Sequence, residues 1–472
     1  MGLEWSIKGS DIMHPERTGP DSARRNLVSD LFRVALFLFV LVSLFLASRV
    51  PVRASTSGIY YVDSRDGHDA NEGTSPDAAW RTLDAVHART FQPGDMIRFR
   101  RGSSWHGGLN ISCSGVAGQP ITYTTYGDPA DPPPVFSNSG EWSSAIIITG
   151  SWIVLEGVLV RDAHENGVRI ERHANHNIVR DIEATEVGIG VGVFGQYNVI
   201  SHSLFHSLNM IVNTNDGGDD DWGAVGVVLY NSRNQVLHNT MRGCSAPSYD
   251  FGVDGGAVEI YALYGAVEGT RIHGNWSCSN AGFLEIGGVT GSEIRDTEVS
   301  YNVSHNGGIF LCLHLDGNFG STVRDMRVEN NTVIEYEGWS VLAFVGDDPT
   351  GDTLTLRNNI FDIGDYDHFT NRDGFARSNN LYHLRNPNTR LGFVPDTAAG
   401  ERLGDPLFIS MEAQNYRLRT GSPAIDAGID LGHTHDHAQM PVPMGDAPNI
   451  GAFEYVQRIV LGPTAFLPIL IR

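Results

Sequence analysis

From about Trp152 onward, short apolar strands alternate with Asn- and Gly-rich turns at intervals of roughly 21 to 37 residues, and that self-similarity restricts the chain to a repeat architecture. Three rungs align closely: Gly255-Gly256-Ala257-Val258-Glu259-Ile260, Ala281-Gly282-Phe283-Leu284-Glu285-Ile286 and Gly307-Gly308-Ile309-Phe310-Leu311-Cys312, at an interval of 26 residues each time. A second register supports the first, because Asn239, Asn275, Asn302, Asn331 and Asn359 each precede a strand in similar HN, NN or YN contexts. Amides stacked this way hydrogen-bond along a solenoid axis and satisfy turn groups that would otherwise be buried without partners. With coils about 4.8 Å apart, on the order of ten fit between Trp152 and Leu391, each burying apolar side chains against its neighbours.

The segment ahead of the coils reads as a cap. Gly58-Ile59-Tyr60-Tyr61-Val62-Asp63 is a strand, and Ala79 to Val86, apolar at 80, 83 and 86, suits a short amphipathic helix over the open end of the first coil. Covering that end protects exposed strand edges. Tyr60-Tyr61-Val62-Asp63, Asn71-Glu72-Gly73-Thr74, Trp80-Arg81-Thr82-Leu83, Pro93-Gly94-Asp95 and Pro120-Ile121-Thr122-Tyr123 resemble the opening of secreted proteins of the pectin lyase-like superfamily. Asp405-Pro406-Leu407-Phe408, Tyr416-Arg417-Leu418, Gly421 to Gly428 and Ile450-Gly451-Ala452-Phe453-Glu454 resemble the closing segment of such proteins. The resemblance implies an all-β, right-handed parallel β-helix with a polysaccharide ligand. It does not select among lyases, hydrolases, epimerases and adhesins, because fold alone does not fix chemistry.

Val34 to Ala47 is apolar except for Ser43, follows Arg24, Arg25 and Arg33, and precedes Val52-Arg53-Ala54. This pattern reads as a signal peptide. The run is shorter than the ~20 residues of a spanning helix, so a retained membrane segment through residues 34–47 is the alternative. The expected organisation is therefore 1–54 export or membrane segment, 55–150 cap and first coils, 151–395 repeats, 396–455 closing segment and 456–472 apolar tail. Extracellular or cell-surface placement follows.

With 33 basic and 55 acidic residues, the chain carries a formal charge of −22. Such a surface repels nucleic acid, and a polyuronate would need local arginines or a bridging cation. The one lysine, Lys8, lies in the export segment, which rules out a lysine base or nucleophile after processing. Four cysteines fall in no metal-ligand spacing; Cys244 with Cys278 is one conceivable bridge, and buried free thiols are the other outcome. A monomer is expected.

Glu259 and Glu285 take the same place in consecutive rungs, which puts their Cα atoms about 4.8 Å apart. Two carboxyls that close do not both ionise freely, and a proton-sharing pair suits glycosidic acid and base or nucleophile work. Leu311 at the third aligned position leaves open whether this site faces inward, in which case the glutamates form a structural ladder. Asp250 and Asp254, in the long turn before Glu259, are the assisting acids, and long turns on a rigid solenoid are where sites are built. Trp222, Tyr261, His314 and Asp316 are the substrate-binding candidates. Asp216, Asp219, Asp220 and Asp221 sit in a Gly-containing loop that could hold Ca²⁺ or remain solvated; no cofactor is required. His433, His435 and His437 form a second, weaker metal candidate in the closing segment.

These residues favour a secreted polysaccharide hydrolase. If the chain resembles the pectate lyases more closely, Arg242, Arg271 and Arg295 are the available bases for a Ca²⁺-assisted elimination, although no lyase motif matches. The Gly-His-Gly and Arg-Ile-Lys segments of polygalacturonases are absent. A non-catalytic glycan-binding or adhesion module is the rival from another class.

Overall fold

The computed structural model describes residues 57–456, except 216 and 316–319. The segment expected to direct export, the tail beyond Val456, Asp216 and Asp316 lie outside the described residues.

Three faces of stacked parallel strands make up the body. One is a ladder of twelve parallel strands from Ile59–Val62 to Ala376–Ser378; three of these precede Trp152, leaving nine in the span where about ten were expected. The second runs through Glu183–Thr185, Leu204–His206, Thr240–Arg242, Trp276–Cys278 and Val303–His305, and the third through Val187–Val193, Val225–Leu229, Gly256–Ala262, Gly282–Gly288 and Ile309–His314. Long strands turn the corner between these two faces: Thr332–Val345 pairs with Val303–His305 through its first residues and with Ile309–His314 through its last. The chain is thus a right-handed parallel β-helix.

Rows of like residues explain why the coils stack. Val236, Ile272, Val299, Val328 and Leu356 occupy one inward row, all at most 1% exposed, and each contributes roughly 1.5–3 kcal/mol by burial. Phe283 stacks on Phe310 with ring centroids 5.1 Å apart. The amide ladder is present and runs one coil further than the sequence indicates. The Oδ1 atoms of Asn275, Asn302, Asn331 and Asn359 accept the backbone N–H of the ladder Asn one coil earlier at 2.9 Å, and Asn380 does so at 3.0 Å. The residue ahead of each amide turns the corner with positive φ, as at Asn330 (53°) and Asn358 (57°), where Asn tolerates the left-handed region well.

The capping helix is shorter than expected. It spans Leu83–His87 and starts where the Thr82 hydroxyl accepts the Ala85 N–H at 3.3 Å. Trp80 instead bridges Val62 as extended chain, and Trp80, Leu83 and Val86 are all buried in the same core. The closing segment lies along the second face: Phe408, Tyr416, Ala424, Ile450 and Phe453 share a core with Val303, Ile334, Ile360 and Leu381. Its histidines do not form a metal cluster. His433 Nε2 bonds Glu329 at 2.9 Å and His437 Nδ1 bonds the Tyr301 carbonyl at 3.0 Å, which ties the segment to the coils. All four cysteines are free.

Candidate active site

The third face carries Glu259 opposite Glu285, as the repeat indicates, but the third rung is offset by one residue. Glu285 pairs with Cys312, and Leu284 with Leu311, so the step is 27 residues. A one-residue slip exchanges the two faces of a strand. Leu311 therefore belongs to the buried row, and the question it raised about parity disappears: Glu259, Glu285 and Cys312 share the outer face, flanked by buried Val258, Ile260, Leu284 and Ile286.

Above this row lies a cavity of about 660 Å³. Its floor is the strands bearing Glu259, Tyr261, Glu285, Cys312 and His314, and its walls are the Asp219–Gly223 loop and the hairpin of Ala246–Ser248 with Gly252–Asp254. Among the sequence candidates, Glu259, Glu285, Asp254, Trp222, Tyr261, His314, Asp219, Asp220 and Asp221 all line it. Tyr230, Phe251 and Cys312 line it as well and were not singled out by the sequence. No Arg or Lys lines it among the described residues. Of the arginine candidates, Arg271 is paired with Glu298 at 3.0 Å and Arg295 with Glu268 at 2.6 Å, away from the cavity.

Glu259 is the unusual group. Enclosed at the cavity floor, its carboxyl has no hydrogen-bond partner among the described residues, and its pKa is pushed up to about 8 by burial first, then by the charges of Glu285 and Asp254, with His314 opposing. The contrast with Glu335 is instructive. That carboxyl is also held near 8 by burial, but it accepts from Ser304 Oγ and the Gly307 N–H, both at 2.8 Å, inside the core. Glu335 is a satisfied structural acid, whereas Glu259, pushed up as far, has no hydrogen-bond partner among the described residues and faces a cavity.

Asp254, whose Oδ1 accepts its neighbour Gly255 N–H at 2.7 Å, is raised to about 6. Burial is the largest cause, and Glu285, Asp221 and Asp219 add to it. Glu285 is half-exposed and bonds His314 Nε2 at 2.7 Å. The imidazole also lies 3.8 Å from the Cys312 sulfur; that contact and the Glu285 bond raise its pKa against burial, which keeps it cationic at neutral pH. Removing this cation with His314→Gln withdraws a charge that lowers the Glu259 pKa, so any limb of a pH–rate profile set by Glu259 should move to higher pH. A pH series of kcat/KM reads that shift.

Asp250 does not line the cavity. Its Oδ2 accepts the Asp220 and Asp221 N–H groups at 3.0 and 3.2 Å, a loop-to-loop tie across some 30 residues of sequence. Asp221 is the reciprocal tie: buried, it accepts from Thr214 N, Ser248 Oγ and Tyr249 N at 2.7 Å and Asp250 N at 3.0 Å. Those four bonds use about all the acceptor capacity of a carboxylate. The oxygens of Asp220, Asp221 and Asp250 come within 4.8 Å of one another, yet the backbone N–H groups between them already supply the positive partners that a cation would provide. Asp221→Ala should therefore loosen the hairpin, and chymotrypsin should nick the variant near Tyr249 or Phe251 under conditions that leave the parent intact.

No protein-family model matches the chain. A lacto-N-biosidase from Bifidobacterium longum subsp. longum is 39% identical over 90 residues, which is 18% of this chain and 6% of that protein. The chain thus matches only a small part of that relative's length. Among solved structures, pectate lyase Pel9A superposes with a TM-score of 0.59 at 17% identity, over 85% of this chain and 97% of the other. A rhamnogalacturonan lyase gives 0.52 at 16% identity, over 76% and 92%. XylC in complex with xylose also gives 0.52, at 10% identity over 84% and 98%. At these identities the likeness is one of fold.

Proposed function

We propose that this chain is an exported glycan-cleaving hydrolase, working in the cavity over the third face. The observation that carries the proposal is Glu259, a carboxyl pushed up to about 8 by burial and neighbouring charge, without a hydrogen-bond partner among the described residues, at the floor of an open pocket. Proton donation to a leaving glycosidic oxygen needs such a group. Asp254, raised only to about 6, is largely ionised at pH 7 and serves as the base or nucleophile opposite it. Two carboxyls pushed to different pKa values by their surroundings define acid and base roles. Glu285, tied to the His314 imidazolium, supplies negative charge beside the developing oxocarbenium ion and helps hold the Glu259 proton. The expected kcat/KM profile is bell-shaped with limbs near 6 and 8, apparent values that belong to the coupled cluster.

Hydrolysis is favoured over β-elimination because the pocket offers carboxyls and, among the described residues, no guanidinium base. The 90-residue likeness to a lacto-N-biosidase supports a glycosidase, and the arginine-flanked apolar segment supports export. The proposed enzyme acts outside the cytoplasm, as a monomer, without a required metal. The test is to incubate the chain from Ser55 with neutral and uronate polysaccharides, with and without EDTA, and to weigh the products. Fragments carrying one added water, unchanged by EDTA, are expected. Unsaturated uronate ends would establish elimination instead, and no fragments from any substrate would leave a binding module.

A further inference from the structure

We propose that the substrate is a glycan without negative charge, and that it extends from the cavity onto a platform formed by Trp142 and Trp222, where an additional sugar ring stacks. This rests on the reading of the cavity as a glycan site and names the class of glycan it takes.

Charge excludes the anionic polymers. Asp219, Asp220, Asp221, Asp254 and Glu285 line the cavity around the neutral Glu259 carboxyl with no Arg or Lys among the described residues, and the one cationic side chain, His314, is already bonded to Glu285. A uronate chain would bring repeated negative charges into this field with nothing to meet them. Neutral sugars avoid that repulsion, and their hydroxyls find acceptors in the carboxylates. Sugars carrying amino groups would be attracted.

The platform gives the direction of the chain. Trp142 is 54% exposed and Trp222 38%, with ring centroids 6.5 Å apart and planes 28° from parallel. The two come from loops of different coils. Trp142 precedes Ser144, whose rung leads through Asn166 and Ile189 to that of Val225, while Trp222 is held by antiparallel pairing with Met210–Val212. His164 braces Trp142 edge-on at 5.4 Å and accepts its backbone N–H at 3.1 Å. Phe251 and Val253, both more than half exposed, form an apolar lip on the hairpin. The negative face of an indole favours the C–H face of a pyranose ring, and such a ligand also carries the hydroxyl rim that the acidic walls accept. The floor crosses the rungs of Val225, Gly256, Gly282 and Ile309, three steps or about 14 Å, before the platform is counted. The groove is thus built for an oligosaccharide.

Isothermal titration of the Glu259→Gln chain, in which turnover is about 10³-fold slower, tests this with hexasaccharides of xylose, glucose, galactose and N-acetylglucosamine, with glucosamine hexamer and with galacturonate hexamer. At least one neutral or amino hexamer is expected to bind about tenfold or more tighter than the galacturonate hexamer, the two arms separating neutral from amino sugars. Adding Trp142→Ala should weaken that hexamer at least about tenfold while the affinity for the corresponding disaccharide changes less than about twofold. Equal or tighter binding of the galacturonate hexamer, binding of no probe, or an unchanged hexamer affinity in Trp142→Ala would overturn the proposal. Binding with this pattern, but no cleavage by the parent chain, would remove the hydrolase reading and leave this one standing.

Discussion

Glu259→Gln is expected to lower kcat by about 10³-fold with the fold intact, within the range seen when a general acid is removed. The substitution is nearly isosteric and breaks no internal hydrogen bond, because the carboxyl makes none among the described residues. The loss therefore reports the missing proton. Stability supplies the control, and its sign follows from linkage. Glu259 in the folded chain holds its proton up to about pH 8, whereas an unfolded glutamate releases it near 4.5. The folded state binds more protons between those values, so the parent loses stability as pH rises through that window, and the loss is complete above about 8. Glutamine carries no such penalty. Glu259→Gln should melt with the parent at pH 4 and above it at pH 8.5, while turning over far more slowly at every pH where the parent works. A variant that melts lower throughout would place Glu259 among the structural acids, with Glu335.

The second large effect lies in the amide ladder. Asn302→Ala should cost about 3–5 kcal/mol, read as a fall in the urea midpoint followed by circular dichroism. The Asn302 side chain accepts from the Asn275 N–H and Nδ2, both at 2.9 Å, and donates to the Ile272 carbonyl and to Asn331 Oδ1 at the same distance. Alanine leaves a buried N–H and a buried carbonyl without partners, each worth roughly 1–3 kcal/mol, in mid-stack, where water has no access and the coils on both sides depend on the contact. A midpoint change equivalent to less than 1 kcal/mol would mean the ladder is a consequence of the stack and not a support of it.

The solenoid was legible because its determinants are local and repeated. Every coil needs the same inward row and the same turn amide, so Asn239, Asn275, Asn302, Asn331 and Asn359 announce themselves, and so does the pairing of Glu259 with Glu285. The third rung departs from the 26-residue spacing of the glycines; the step there is 27, and its signal in the sequence is the apolar row, Leu284 opposite Leu311. With that register, Cys312 and His314 fall on the face of Glu285, a grouping the sequence did contain. The roles of Asp221 and Asp250 were not legible. Both are acids in Gly-containing loops, a pattern that equally describes a cation site, and only the fold brings the Asp250 carboxylate to the Asp220 and Asp221 N–H groups. Trp142 was hidden for the same reason, since its stacking on Trp222 joins loops of different coils.

The central claim is that Glu259 keeps its proton at neutral pH in an open pocket, and infrared difference spectroscopy between the parent and Glu259→Gln across a pH series measures it directly. A protonated-carboxyl band present in the parent at pH 7, absent from the variant and titrating away near 8, is the expected result. A band that has already vanished near pH 4.5, as for an ordinary glutamate, would contradict the claim and take the general-acid role with it.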